Sequence, residues 1–422
     1  MGRRIERLSD IVENGLCVGC GLCQALAGED RVEFVMTPEG RERPVERKPI
    51  APQAWRRIVR TCPGVRVAGA VPEAEAAGRA AQTDRIWGPY TRVCLGFAAD
   101  PEVRFRAASG GVLTALAAHL IDAGKVAFVL HVRASARRPA RTETVLSRDA
   151  AGVMGAAGSR YGPATPLAEV MRALRRGEPF AFVGKPCDVG ALRLLAAEDR
   201  RVARHCKAML ALVCGGASEF RKTRDLLAGW EVGEDELSLL RYRGYGNPGR
   251  LRVETRDGRA FEKTYLDMWE DESQWCLQNR CKICPDAIGE AADVAAADYW
   301  PGGSPSGEDA GFNSMIARTA AGRALLDEAQ AGGAITIVRE LTMRDMDATQ
   351  PHQVRKKEAV WARLAGMRAA GHPVPEVENL RVKEIARRRP LAALLAEARG
   401  ARARVRRGRM SEPPAAETAH GS

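Results

Sequence analysis

Apolar positions along the chain follow two periods, and the switching between them outlines an architecture. Between residues 112 and 121, Val112, Leu113, Leu116, Ala117, Leu120 and Ile121 recur three and four apart. That spacing gathers them on one face of a helix, which Gly124 ends. The runs VAFVLHV (126–132), PFAFVG (179–184) and AMLALV (208–213) are short and apolar throughout. Such runs suit strands buried on both faces. Helical patterns at 165–177 and 188–200 lie between them, the second opened by Asp188. Strands alternating with amphipathic helices predict a largely parallel sheet covered on both sides. Around 250–266 the pattern turns to antiparallel strands with an Asp257-Gly258 hairpin.

The ends read differently. Residues 31–49 predict two short strands around a Pro-Glu-Gly turn, and residues 54–64 a short helix ending at Cys62-Pro63-Gly64. The small, polar stretch 68–84 reads as a linker. Beyond about 350 the chain is helical and polar, and its last twelve residues, SEPPAAETAHGS, are disordered by composition. The fold class expected is mixed α/β: a small module over 1–85, an α/β domain over 86–350 with halves meeting near 175, and an extension with a basic tail over 351–422.

Composition adds constraints. No apolar run approaches the roughly 18 residues of a membrane span, and no apolar segment follows the basic start as in a signal peptide. A cytoplasmic location is expected. In that reducing setting eleven cysteines point to metal ligands or reactive thiols rather than disulfides. The net charge of +12 is concentrated: residues 380–411 hold eleven Lys/Arg against Glu384 and Glu397, a surplus of nine. Aromatic interleaving and a nucleic-acid motif are both absent there, so the basic stretch reads as a solvated tail and nucleic acid is not an expected partner.

The cysteines cluster. Cys17, Cys20 and Cys23 stand in the C-x2-C-x2-C spacing that opens a ferredoxin loop. The fourth cysteine of that loop is replaced by Ala27, and Cys62, which precedes a proline, is the remaining candidate. These four suit a 4Fe–4S cluster, so the 1–85 module is expected to be ferredoxin-like. Zinc is the rival, although its structural sites usually present two separated pairs. Cys187 and Cys214 each fall just past a predicted strand, where groups converge at the edge of a parallel sheet. Cys281 and Cys284 supply a further pair, so a second four-cysteine set is expected, with Cys276 competing with Cys214. Cys94 and Cys206 have no partners by pattern. Ser109, Gly110 and Gly111 at a helix start, with Arg106 just before, could cradle a phosphate. The loop 241–249, with Arg241, Arg243, Tyr245 and Asn247, is a candidate substrate-side segment or a solvated connection. None of the six histidines fits a catalytic pattern.

In combination, RAASGGVLTAL, GSRYGPATPL, FVGKPCDVGAL, LVCGG and RCKICPD with ADVAAADYW resemble, in this order, the coenzyme F420 hydrogenase/dehydrogenase β-subunit family over about 87–340. Its relatives include a hydroxymethyl-chlorophyll reductase. The resemblance implies a flavin- and iron–sulfur-dependent oxidoreductase with two 4Fe–4S clusters and FAD. It ranks Cys214 above Cys276 as a ligand. It assigns Arg106, Ser109, Gly110, Gly111, Ser159, Arg160, Tyr161, Lys185 and Pro186 to cofactor binding. Here Ala297 precedes Asp298 where the family commonly has glycine. Implied partners are a ferredoxin-like electron donor or acceptor and an unidentified two-electron substrate. The alternative is an electron-transfer subunit docked on a larger hydrogenase- or dehydrogenase-type complex.

Overall fold

The computed structural model describes residues 4–69 and 82–415. Its centre is an eight-stranded sheet with the strands, in chain order, β1 (Arg92–Ala98), β2 (Phe128–Ala134), β3 (Thr142–Ser147), β4 (Phe180–Gly184), β5 (Cys206–Leu212), β6 (Val294–Asp298), β7 (Asn313–Ala317) and β8 (Ile335–Glu340). Across the sheet they lie in the order β8-β1-β7-β6-β5-β4-β2-β3. The pairs β2–β4 and β4–β5 are parallel, as the apolar runs predicted, and β6 adds a third parallel pairing to β5. Two antiparallel pairings, β6–β7 and β7–β1, bring β1 back to the same direction. Antiparallel β8 and β3 form the two edges. The carboxyl ends of β1, β2, β4, β5 and β6 therefore all open on one side, where loops from distant parts of the sequence meet.

Helix α1 (Val112–Asp122) covers one face, packing Val112, Leu116 and Leu120 against the sheet with Leu326. Helix α2 (Pro186–Glu198) covers the other with Leu192 and Leu195, beside the stacked rings of Phe128 and Phe180. Proline at its first position starts α2 two residues earlier than Asp188. Asp188 sits instead at the third position and accepts the Lys185 backbone N–H at 3.1 Å. The helix expected over 165–177 is shortened to Val170–Arg175, since turns occupy 166–169 behind Pro166. The two N-terminal strands pair as a hairpin, Val32–Met36 with Glu42–Glu46. Residues 237–263 form a separate three-stranded antiparallel sheet. Most of the 68–84 stretch lies outside the described residues, and its ends are short strands.

The N-terminal segment joins the rest through two cores. Cys20 and Leu22 pack with Leu167, Val170 and Leu192 on the α2 side. Ile11 and Leu16 pack with Val360, Leu364 and Met367 of α3 (Pro351–Arg368) and with Ala401 of α4 (Leu391–Arg406). Part of the 411–422 stretch read as disordered is fixed in place: Glu412 is buried, as is Met410 just before it, while 416–422 lie outside the described residues. Arg43, itself fully buried in the hairpin, explains this. Its Nε stands 2.7 Å from Glu412 Oε2, and its Nη2 donates at 3.0 Å to both Glu412 Oε1 and Gln278 Oε1. A buried guanidinium needs an anion, and Glu412 supplies it.

Two measurements follow from this packing. Glu412→Ala leaves Arg43 buried without its counter-charge and should lower the unfolding free energy by about 3–5 kcal/mol. Chemical denaturation with an unchanged midpoint would show that the contact is dispensable. His131 on β2 has its Nε2 2.7 Å from Ser147 Oγ, and burial, aided by Arg133, lowers its pKa to about 4. The unfolded chain accepts a proton that the folded one refuses, so stability from this residue is full above pH ~6.5 and is lost as pH falls toward about 4. His131→Gln should flatten that part of a stability-versus-pH curve.

Candidate functional site

Cys17, Cys20, Cys23 and Cys62 line one cavity, together with apolar neighbours such as Leu8, Ile11, Phe34 and Ile58. Local backbone shape brings them together. Gly21 lies at φ +88°, and a side chain there would meet the Ala168 backbone nitrogen at 2.6 Å. Only glycine lets the loop turn this tightly against its neighbour. Cys62 ends the helix Pro52–Thr61. The following turn fits because Gly64 has no Cβ; one would come within 2.6 Å of the Leu16 carbonyl oxygen. The remote cysteine-proline pair and the tight triplet thus face the same space.

Cys187, Cys214, Cys281 and Cys284 line a second cavity. Cys187 is in the first turn of α2 just past β4, and Cys214 follows β5, so both lie at the carboxyl edge. The 3₁₀ turn Asn279–Ile283 carries Cys281 and leads into Cys284. Cys276 is not part of this lining; its sulfur faces Arg221 Nη2 at 3.6 Å. Of the cysteines left unassigned by pattern, Cys94 is buried within β1 and Cys206 half-buried at the start of β5.

The two cavities adjoin. Val18, between Cys17 and Cys20, lines both. Arg280, on the wall of the second, donates from Nη2 at 2.9 Å and Nε at 3.2 Å to the carbonyl of Pro63, next to Cys62. Helix α3 covers the second cavity: Lys356 Nζ donates to the Gly215 carbonyl at 2.8 Å and Gln353 Nε2 to the Cys214 carbonyl at 3.1 Å. Backbone N–H groups point at two sulfurs, Gly19 at Cys17 and Ala217 at Cys281, each at 3.3 Å.

Burial, reinforced by neighbouring sulfurs, pushes the Cys20 and Cys23 thiols well above the usual range, and Cys62 up to about 12. Burial raises Cys17 as well, against the pull of Arg43. In the second set burial raises Cys187 well above the usual range, with Asp188 adding to it, and lifts Cys214 to about 12 and Cys284 more modestly. Burial alone would lower Lys185, but Asp188, whose Oδ2 is 2.7 Å from Nζ, and the sulfurs of Cys187 and Cys214 leave it raised. Thiols this dry become thiolates only against a strong positive charge, which a metal centre provides. Among the described residues no three His, Cys, Asp or Glu side chains stand together as ligands of one metal ion. Each quartet brings four thiols to one cavity, the donor number that a 4Fe–4S cluster or a tetrahedral zinc takes.

The residues assigned to cofactor binding share the same carboxyl edge but divide among three environments. Lys185 and Pro186 belong to the second cysteine cavity. Ser109 Oγ donates to the Phe312 carbonyl at 2.7 Å, and the Val112 N–H at the start of α1 is capped by Asn313 Oδ1 at 3.2 Å. Arg106 pairs with Glu102, and Gly110 packs against Asn313. The Arg160 guanidinium is engaged by the carbonyls of Pro139, Ala140, Arg141 and Leu240 and by the Thr142 hydroxyl. Tyr161 packs on Trp269, with ring centroids 4.3 Å apart, and Ser159 is half-buried beside them in sequence. As arranged, the Arg160 guanidinium is engaged by protein acceptors and is not available to a flavin phosphate.

The 241–249 loop is split in the same way. Arg243 is buried, held to Asp298 at 2.9 and 3.2 Å and to the Pro248 carbonyl, so it fastens the loop to the end of β6 rather than facing a substrate. The Asp298 that follows Ala297 is its counter-ion. Asn247 is likewise buried, donating to Asp309 at 2.7 Å. Tyr245 is exposed, edge-on to Phe105 and under Arg241. Sequence patterning gave no sign of Arg43, Arg280 or Lys356. Arginine in a short hairpin strand and lysine on a polar helix look solvated, and only their burial beside the cavities distinguishes them.

The model of the coenzyme F420 hydrogenase/dehydrogenase β-subunit N-terminal domain matches residues 93–172, and that of the C-terminal domain matches residues 177–341. The chain is 23% identical over 296 residues to a coenzyme F420 hydrogenase subunit beta of Methanothermobacter thermautotrophicus, covering 69% of this chain and 99% of that protein. It is 24% identical to the F420-dependent formate dehydrogenase 1 subunit beta of Methanococcus maripaludis, over 56% of this chain and 58% of that one. With a coenzyme F420-dependent sulfite reductase of Methanocaldococcus jannaschii it shares 23% identity over 75% of its length, but spans only 46% of that protein. In fold it resembles a chain of the F420-reducing [NiFe] hydrogenase complex from Methanosarcina barkeri, with a TM-score of 0.52 and 17% identity over 68% of this chain and 96% of that one. The two matched regions run from β1 to just past β8 and contain the second cysteine quartet, and the chain belongs to the coenzyme F420 hydrogenase/dehydrogenase β-subunit family.

Proposed function

We propose that this chain is an iron–sulfur oxidoreductase subunit that passes electrons between a ferredoxin-like one-electron carrier and a two-electron partner. Cys17, Cys20, Cys23 and Cys62 hold one 4Fe–4S cluster; Cys187, Cys214, Cys281 and Cys284 hold the other. The observation that carries this reading is that each quartet lines its own cavity and that one residue, Val18, lines both. When bound, such clusters supply one-electron transfer at potentials set by charge, hydrogen bonding and solvent access. The protein's contribution is to hold the two sets a side chain apart, to exclude water with apolar walls and to aim the Gly19 and Ala217 N–H groups at sulfur. Arg43, Arg280, Lys185 and Lys356 set positive charge around the negative charge of the thiolates.

No helix among the described residues is long and apolar enough to cross a membrane. Two of the relatives named above are beta subunits. Together with the exposed aromatic pair Phe105 and Tyr245 at the sheet edge, this supports work alongside another oxidoreductase subunit. Coenzyme F420 is named in all three relatives and is the first two-electron partner to test. FAD is part of the proposal through the family resemblance. It would be held at the carboxyl edge by groups other than the Arg160 guanidinium.

Anaerobic preparation should give a brown protein with about eight iron atoms per chain. A colourless, zinc-bearing protein would overturn the proposal, and a flavin absorbance in the same spectrum decides whether FAD belongs to it. Cys62→Ser should remove about four irons, one cluster's worth, while Cys276→Ser leaves iron unchanged. Equal iron content in wild type and Cys62→Ser would refute that ligand assignment.

A further inference from the structure

The last part of the described chain lies beyond the matched family domains, which end at residue 341, and it carries most of the surplus charge. Helix α4 is anchored by its inner side. Ala401 is buried, and Ala401 and Val405 belong to the same apolar core as Cys17, Cys23 and Cys62. Leu8 and Ile11 belong to that core too and also line the first cavity. The helix therefore packs on α3 and shares a core with the N-terminal cysteine quartet.

Its outer side has a distinct chemistry. Leu391, Leu395, Arg399, Arg402 and Arg406, spaced by three or four residues, are all exposed and share one face. Leu391 is 70% and Leu395 47% exposed, among the most exposed large apolar side chains of the protein. Exposed Arg387, Arg388, Arg407 and Arg409 flank the face, and among the described residues none of these four, nor Arg402 or Arg406, has an acidic partner. Two exposed leucines within a field of unpaired arginines match the composition of a protein interface, an apolar centre with a charged surround. An interfacial membrane helix would need an apolar stripe along its whole length, and this one is confined to the first turns. A single-stranded nucleic-acid platform would need aromatic rings, and the face has none.

We propose that the arginine face of α4 is the docking surface for an acidic one-electron carrier protein, which exchanges electrons with the cluster of the N-terminal quartet, whose core the helix shares. This rests on the function proposed above and locates its electron port. One electron leaves the carrier and one arrives at the cluster, or the reverse. No bond is made or broken and no proton has to move. Opposite charges steer the encounter and keep it short-lived, as electron-transfer partners require.

The test uses the full chain, anaerobically loaded with iron and sulfide, titrated with an acidic 2Fe–2S ferredoxin while binding is followed directly. Wild type should bind at low ionic strength and weaken steeply as salt is added. The triple charge reversal Arg402→Glu, Arg406→Glu, Arg409→Glu should weaken binding by about tenfold or more and remove most of the salt dependence. The corresponding triple Gln variant should fall between, which guards against a misfolded reversal variant. Unchanged affinity and salt slope in both variants would overturn the surface. So would a wild type that ignores ferredoxin but binds phosphatidylglycerol vesicles or a DNA duplex through the same arginines. Iron content of the same preparation separates the two levels: iron present without ferredoxin binding removes only the docking surface. Absence of iron removes the proposed function, while the variants still report on the surface.

Discussion

Two buried arginines hold the parts of this protein in register, and the rest of the site depends on them. Arg280 reaches from the Cys281–Cys284 turn to the carbonyl beside Cys62, tying one cysteine quartet to the other. Arg43 ties the N-terminal hairpin to Gln278 and to Glu412 near the far end of the chain. A buried guanidinium has no low-energy alternative to its partners, so each bond fixes position as well as charge. Segments more than two hundred residues apart are thereby held close enough for Val18 to form a wall of both cavities.

The sheet does the complementary work. Five strands pointing the same way deliver their loops to one edge, and the ends of β4 and β5 put Cys187 and Cys214 beside each other. The other two sulfurs arrive on a 3₁₀ turn that α3 holds down through Lys356 and Gln353. Buried salt bridges repeat the theme nearby: Glu290, fully enclosed, is paired with both Lys357 and Arg381. A site that would gather negative sulfur in a dry interior is surrounded by cations that are buried or half-buried and bonded to carbonyls and carboxylates. That arrangement favours a charged cofactor over eight neutral thiols.

Much of this was legible in the chain. The three continuous apolar runs located three of the four strands of the parallel core, because a strand buried on both faces leaves no polar positions to confuse the reading. The antiparallel strands β7 and β8 were not foreseen. The run NSMIA mixes polar with apolar residues, and ITIVRE alternates as any surface strand would. The N-terminal quartet followed from spacing and from the proline after Cys62. The second quartet needed both the strand ends and the family resemblance to rank Cys214 over Cys276. For Arg160 and Arg243 the sequence pointed outward to a ligand, and the fold turned both guanidiniums inward onto carbonyls and a carboxylate. An arginine's local sequence does not specify which acceptors folding will bring to it.

What the sequence determined by itself was local: which segments pair as strands, which turn as helices, and which cysteines stand two residues apart. These depend on periodicity and spacing within a few residues, which no later folding event can alter. What only the tertiary structure decided was long-range: that the quartets adjoin, that Glu412 is buried on Arg43, and that α4 packs on α3 with its arginines outward. Those relations come from burying charges that need partners and apolar faces that need cover, and the partners lie hundreds of residues away.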